Sequence, residues 1–285
     1  MRAMILAVAL ISLPASAAPY ARPAIADPLR DARYPATNKQ LLVPSHGVGM
    51  NALLFEASGK GPHPTVILMH GLPGNERNLD LAQAIRRAGW DVLTFTYRGA
   101  WGSPGDFSIA NAMDDTRSAL EFARSPEAAR FGIDSRHIVL AGHSMGGATA
   151  AMTAAGDRGL DGLLLLDAWN IASDARNAPR AELLAGLDDF GNSLHGASPE
   201  STADEILGRG RNWDLVAVAP RLARIPILTV TALHGGAAGN RPVTAALRKA
   251  GNRRVTAVEM DTDHPFSDHR IALASTVIRW LQGLR

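Results

Sequence analysis

His137-Ile138-Val139-Leu140-Ala141-Gly142-His143-Ser144-Met145-Gly146-Gly147 is the stretch that decides the fold. A largely aliphatic run reads as a strand, enters Gly-x-Ser-x-Gly, and gives way to a helix-forming segment over Gly147–Ala155. A strand that turns into a helix this abruptly holds the serine in a strained backbone conformation. The flanking glycines let strand and helix approach without a Cβ between them. The hydroxyl then stands above the carboxyl end of the strand, beside a helix N-terminus that favours developing negative charge. Gly-x-Ser-x-Gly alone is a common string. Its meaning here comes from the strand before it and the helix after it.

Outward from this turn, apolar strands alternate with helical stretches, as βα units building a mostly parallel sheet do. Upstream lie the strand Thr65–Met69, a helix from about Asn78 to Ala88, the strand Asp91–Tyr97 and a helix from about Ala110 to Arg124. Downstream, Gly162-Leu163-Leu164-Leu165-Leu166 is a central strand covered on both faces. Residues 168–224 break the rhythm, with amphipathic stretches near Arg180–Leu187 and Ala203–Leu207, and read as a helical cap inserted between two strands. The sheet resumes with Ile227–Thr231, a helix near Val243–Ala250, a last strand Arg254–Met260 and a closing helix up to Leu281. The α/β core is expected over 41–285, preceded by a Pro- and Ala-rich surface arm over 18–40.

The 285 residues suffice for one large domain, and 46% hydrophobic with 20% charged residues argues against disorder. A net charge of +2 and the lack of a Lys/Arg run give no nucleic-acid footprint. With no cysteine, disulfides, thiolate catalysis and cysteine-ligated zinc are excluded. Residues 1–17 read as a signal peptide: Arg2, an apolar Met4–Leu13, then the small residues Ala15-Ser16-Ala17. An exported protein, periplasmic or secreted and free of the membrane once they are removed, is expected.

The Gly-His-Ser-Met-Gly-Gly turn, the earlier His70-Gly71-Leu72-Pro73-Gly74 and a histidine near the C-terminus together resemble the α/β-hydrolase superfamily. The likeness in order covers nearly all of 41–285. It implies a catalytic triad with Ser144 as nucleophile and His264, in the loop after the last strand, as general base. His269 is the second choice. A tetrahedral oxyanion needs two fixed donors, worth about 3–4 kcal/mol each. One is the N–H of Met145, next to the nucleophile, and the resemblance points to the N–H of Leu72 for the other. It also implies that His70 braces its loop, that His143 points away from the pocket, and that Arg98 bonds neighbouring loop carbonyls. Trp101 and Trp169 either line the acyl pocket or pack against the cap.

The acid is in an unusual place. Many relatives carry it after the strand equivalent to Ile227–Thr231, but no Asp or Glu occurs from Leu215 to Val258. Asp167 ends the preceding strand, where a carboxylate can reach the histidine Nδ1–H and fix its tautomer. Leu166-Asp167-Ala168-Trp169 is similar to the acid-bearing segment of platelet-activating-factor acetylhydrolases. The competing role for Asp167 is an N-cap that starts the cap. Asp261 and Asp263 are read as shaping the His264 loop.

These parts predict a serine esterase that transfers small to medium acyl groups to water, with no cofactor and no metal. Two alternatives stand beside it. An exopeptidase or amidase of the same fold would clamp the substrate amine with acids such as Asp188-Asp189 or Glu200. A non-catalytic binding protein would use the scaffold alone.

Overall fold

The computed structural model describes residues 20–187 and 192–284. The expected signal peptide and the Asp188-Asp189 pair lie outside the described residues. Eight strands form one sheet: β1 (Thr37–Ser45), β2 (Val48–Glu56), β3 (His63–Met69), β4 (Asp91–Phe95), β5 (Ile133–His143), β6 (Gly162–Leu166), β7 (Ile227–His234) and β8 (Val255–Asp263). Their order is β1-β2-β4-β3-β5-β6-β7-β8. The β1–β2 and β2–β4 pairs are antiparallel, and every pair from β4 to β8 is parallel.

The helices are α1 (Arg22–Ile25), α2 (Leu79–Arg87), α3 (Ile109–Ala123), α4 (Pro126–Ala129), α5 (Met145–Ala154), α6 (Ile171–Asn177), α7 (Arg180–Gly186), α8 (Pro199–Arg209), α9 (Leu215–Val218), α10 (Ala237–Lys249) and α11 (Arg270–Gln282). Helices cover both faces of the sheet, so its central strands show no polar alternation. Leu163 and Leu165 of β6 join one core with Ile67, Leu140 and the buried residues of α3, α5 and α10. Leu164 and Leu166 join the other, with Val66, Val139 and the buried residues of α2 and α11.

The N-terminal arm is shorter than expected. Thr37–Gln40 already belong to β1, an edge strand pairing with Leu53–Glu56 of β2. The polar Thr-Asn-Lys-Gln run is tolerated because one side of an edge strand faces water. Residues 21–25 are also anchored: the Ala21 N–H donates to Ser275 Oγ at 2.7 Å, and Pro23 O accepts from Arg87 Nε at 2.7 Å. Between β6 and β7 the described residues form helices and turns, with one isolated bridge between Ala100 and Leu194. This matches the expected insertion. It is tied down where Glu205 of α8 accepts from the N–H groups of Ile109 and Ala110, at 2.8 and 2.9 Å, at the start of α3.

The β5–α5 turn is packed to the limit. A Cβ on Gly146 would lie 2.4 Å from Met69 O and 2.6 Å from His70 O. Both contacts are with backbone, which cannot swing aside. Gly146→Ala is therefore expected to destabilise the fold by about 3 kcal/mol, lowering Tm by roughly 10 °C. A thermal melt of the variant checks this.

Candidate active site

Ser144 sits between β5 and α5 with φ 56° and ψ −121°. A non-glycine residue in that region costs of order 1–3 kcal/mol and persists only where its surroundings fix it. Here the Ser144 N–H donates to Leu166 O at 3.0 Å, and Ser144 O accepts from Trp169 N at 2.9 Å. Ser144 O also accepts from the N–H groups of Gly147 and Ala148. The N–H of Met145, first residue of α5, has no partner within the helix. The loop after β3 passes close by: a Cβ on Gly71 would lie 2.9 Å from Ser144 Cβ. Leu72, next in that loop, lines the same cavity as Ser144.

Asp167 stands at the end of β6 with φ 41° and its side chain fully buried. Its Oδ2 accepts from His264 Nδ1 at 2.5 Å and from Gly236 N at 2.7 Å. Its Oδ1 accepts from Ala232 N at 3.1 Å and Asn240 Nδ2 at 3.0 Å. The N-cap role does not hold, because α6 begins after Asn170. Burying an ionised carboxylate is costly unless its lone pairs are met by donors, and four donors meet this one. Three of them come from the end of β7 and the start of α10. The segment that lacks an acid thus supplies the donors that hold one. A Cβ on Gly235 would lie 2.5 Å from Asp167 Oδ2 and 2.9 Å from His264 Cα, so only glycine fits between the acid and the His264 backbone.

Asn240 is a site residue that the sequence reading missed. Its amide bridges Asp167 Oδ1 and Gly236 O. Asn240→Asp would set a second carboxylate against the first at hydrogen-bond distance. Two such groups cannot both ionise freely, so one takes a proton. The expected loss in kcat/KM at neutral pH is about 10²-fold, larger than for Asn240→Ala. Hydrolysis of a chromogenic ester by the two variants tests the order.

Ser144, Asp167, His264 and Leu72 line one cavity of about 530 Å³. Trp169, Asn170, Ser173, Asp174, Ala178, Glu182, Leu183, Gly186, Leu187 and Ile206 wall it from the cap side. Trp169 belongs to the cavity, its indole N–H donating to Asp174 Oδ2 at 2.6 Å. Trp101 does not line this cavity. It packs on the loop after β3, donating to Pro73 O at 2.8 Å under the Arg77 guanidinium.

The remaining histidines and acids separate cleanly. His70 is buried and donates through Nδ1 to Gly71 O at 2.7 Å, with its ring edge-on to Tyr97. That is the expected brace. His143 is absent from the cavity lining, as expected, but its ring lies against that of His264. His269 pairs with Asp268, outside the cavity. Asp263 shapes the loop by accepting from Ser267 N at 2.7 Å, whereas Asp261 pairs with His234 on the surface. Arg98 departs from expectation. Its guanidinium is held by the buried Asp115 carboxylate at 2.5 Å and reaches one carbonyl, Asn111 O.

Burial pushes the imidazoles of His70 and His143 down from 6.5 to about 4. Both are therefore neutral in the folded protein at pH values where the unfolded chain would protonate them. Unfolding between pH 6.5 and 4 takes up protons, so stability falls as the pH drops through that window. Melting curves at stepped pH values should show Tm declining across it.

The model of the alpha/beta hydrolase family matches residues 66–276. Among characterised or catalogued proteins, the chain is 31% identical over 122 residues to the quorum-quenching protein AidA of Acinetobacter baumannii, covering 41% of this chain and 39% of that one. It is 34% identical over 110 residues to the uncharacterized protein YfhR of Escherichia coli O157:H7, covering 36% and 37%. The matched region thus spans about two fifths of these relatives. Among solved structures, the hyperthermophilic esterase from Pyrobaculum calidifontis superimposes with TM-score 0.65 at 19% identity, over 89% of this chain and 88% of that one. Est1E from Butyrivibrio proteoclasticus gives 0.66 at 17% identity, over 86% and 98%. Dipeptidyl peptidase 4 from Porphyromonas gingivalis gives 0.63 at 16% identity, over 88% of this chain and 35% of that one. At such identities the superpositions speak for the fold, and the family match over more than two thirds of the sequence speaks for descent: this chain belongs to the alpha/beta hydrolase family.

Proposed function

We propose that the protein is an exported serine hydrolase that cleaves carboxylic esters of small to medium acyl substrates through an acyl-enzyme. One observation carries the reading: the Asp167–His264 pair, closed at 2.5 Å, opens onto the same cavity as a serine held at φ 56°. In the first half-reaction Ser144 Oγ attacks the ester carbonyl and its proton passes to His264 Nε2. The N–H groups of Leu72 and Met145 hold the resulting oxyanion. The C–O bond to the alcohol breaks, and His264 returns the proton to the leaving oxygen. Water then repeats the sequence on the acyl-enzyme, releasing the acid and restoring Ser144. Asp167 orients the ring through Nδ1–H and stabilises the imidazolium.

The cap sets the size of the substrate. With α6, α7 and α8 walling a cavity of about 530 Å³, a short or medium acyl chain fits more readily than a folded polymer. Hydrolysis of p-nitrophenyl esters of rising chain length, compared with aminoacyl p-nitroanilides, tests the reading. Turnover of short and medium esters well above the anilides is expected. Preference for the anilides would overturn it.

A second reading has a specific basis in the cavity wall. Asp174 and Glu182 face the same space as Ser144, so an amine-bearing substrate would find carboxylates there. Glu200 does not contribute, since it is exposed on α8 and accepts from Ser198. In this reading Glu182→Gln raises KM for aminoacyl anilides and leaves acetyl esters unchanged. The proposal of export rests on residues 1–17. Finding Met1 at the N-terminus of the protein recovered from outside the cytoplasm would count against their removal.

A further inference from the structure

We infer that His143 is a positioning residue that holds the His264 loop in working geometry, acting with Arg270 as a two-sided clamp on consecutive carbonyl groups. The inference rests on the reading of His264 as the base of a serine hydrolase. His264 follows β8 on a short connection to α11, and its side chain is 41% exposed, so packing alone does little to fix it. The backbone of that connection is instead held from two directions. His143 Nε2–H, from the turn that carries Ser144, donates to His264 O at 2.9 Å. The Arg270 guanidinium, from the first turn of α11, donates to Pro265 O at 2.8 Å. Arg270 is itself locked to α2 by the Asp80 carboxylate and by Asn78 Oδ1 at 3.0 Å. The peptide groups on either side of Pro265 are thus tied, one to the nucleophile's turn and one to the opposite helix.

The tie from His143 has a consequence that the tie from Arg270 lacks. It links the segment bearing the nucleophile directly to the segment bearing the base, across 121 positions of sequence. Any shift of the turn carries the His264 backbone with it, so the separation of Oγ and imidazole is kept. The rings support the same geometry. His143 and His264 lie with centroids 4.5 Å apart and planes tilted by 39°, and Phe266 meets the His143 ring edge-on at 6.4 Å. The donor role also fixes the proton on Nε2 of His143 and leaves Nδ1 bare and buried without a hydrogen-bond partner among the described residues. The charged and titratable groups around that ring are His264, Asp167 and Arg270. With cationic Arg270 near and water excluded, His143 remains neutral beneath an imidazole that must itself take a proton in each half-reaction. A cation at this place would oppose that step.

Two substitutions separate the donor from the ring. His143→Phe keeps an aromatic face against His264 and removes the N–H. His143→Gln keeps an amide N–H at about the reach of Nε2 and removes the aromatic face. Each is compared with wild type for ester hydrolysis and for the rate at which a fluorophosphonate labels Ser144. His143→Phe should lose about 10- to 100-fold in kcat, since small misplacements of reacting groups cost that much. KM should stay within about threefold, and labelling should slow in parallel. His143→Gln should recover most of both rates. A purely structural role would change Tm and the active fraction, without the kcat-specific loss or the rescue by glutamine. Wild-type rates in His143→Phe overturn the inference and leave the hydrolase reading intact, as does a His143→Gln no better than His143→Phe. A wild-type protein that neither turns over esters nor is labelled overturns both.

Discussion

Asp167→Asn is expected to lower kcat by about 10⁴-fold while the fold survives. The asparagine is nearly isosteric: with its oxygen kept at the Oδ1 place, Ala232 N and Asn240 Nδ2 retain their acceptor, and the Gly236 N–H loses its own. What is lost is the acceptor for His264 Nδ1–H and the negative charge that stabilises the imidazolium. An amide nitrogen turned toward His264 would even favour the wrong tautomer. The substitution also leaves Asn240 Nδ2 opposite a neutral group, which weakens a hydrogen bond worth about 1.5–3 kcal/mol when one partner is charged. A modest fall in Tm should therefore accompany the large fall in kcat. Steady-state kinetics with a p-nitrophenyl ester, read beside circular dichroism, measures both. Activity within tenfold of wild type would move the acid elsewhere.

Ser144→Ala is expected to have the larger effect, roughly 10⁶-fold in kcat. In the proposed mechanism this removes the nucleophile and leaves the oxyanion donors and the cavity in place, so a residual rate above that of water is expected. Stability should change in the opposite sense to most core substitutions. The backbone strain at φ 56° remains, but a buried-edge hydroxyl no longer needs a partner. A variant that is inactive and folds at least as stably as wild type is the pattern of a residue kept for chemistry.

Much of this arrangement is legible in the sequence, for physical reasons that differ between residues. The turn at Ser144 is local: strand, glycine, serine, glycine and helix are contiguous, and backbone sterics dictate the rest. Asp167 is legible because an unbroken aliphatic strand fixes where its end must fall, and with it the first residue beyond the sheet. The cap is legible as a gap between strands with helical periodicity inside it. Asn240 and His143 were out of reach. Asn240 meets Asp167 across 73 positions, and its residue type carries no signal until α10 is known to begin at Ala237, inside what reads as a loop before Val243. His143 looks like the free position of the turn, and only the fold brings the carbonyl of His264 to it. Arg98 shows the same limit: its sequence neighbours offer carbonyls, whereas its real partner, Asp115, comes from α3. The β1 edge strand was missed at its start because exposure on one side removes the hydrophobic pattern that marks a strand.

The most direct test is covalent. Intact-mass spectrometry after treatment with a fluorophosphonate should show one adduct on the wild-type protein, mapped to Ser144, and none on Ser144→Ala. A wild-type protein that stays unmodified, or a Ser144→Ala variant that is modified equally, would contradict the account.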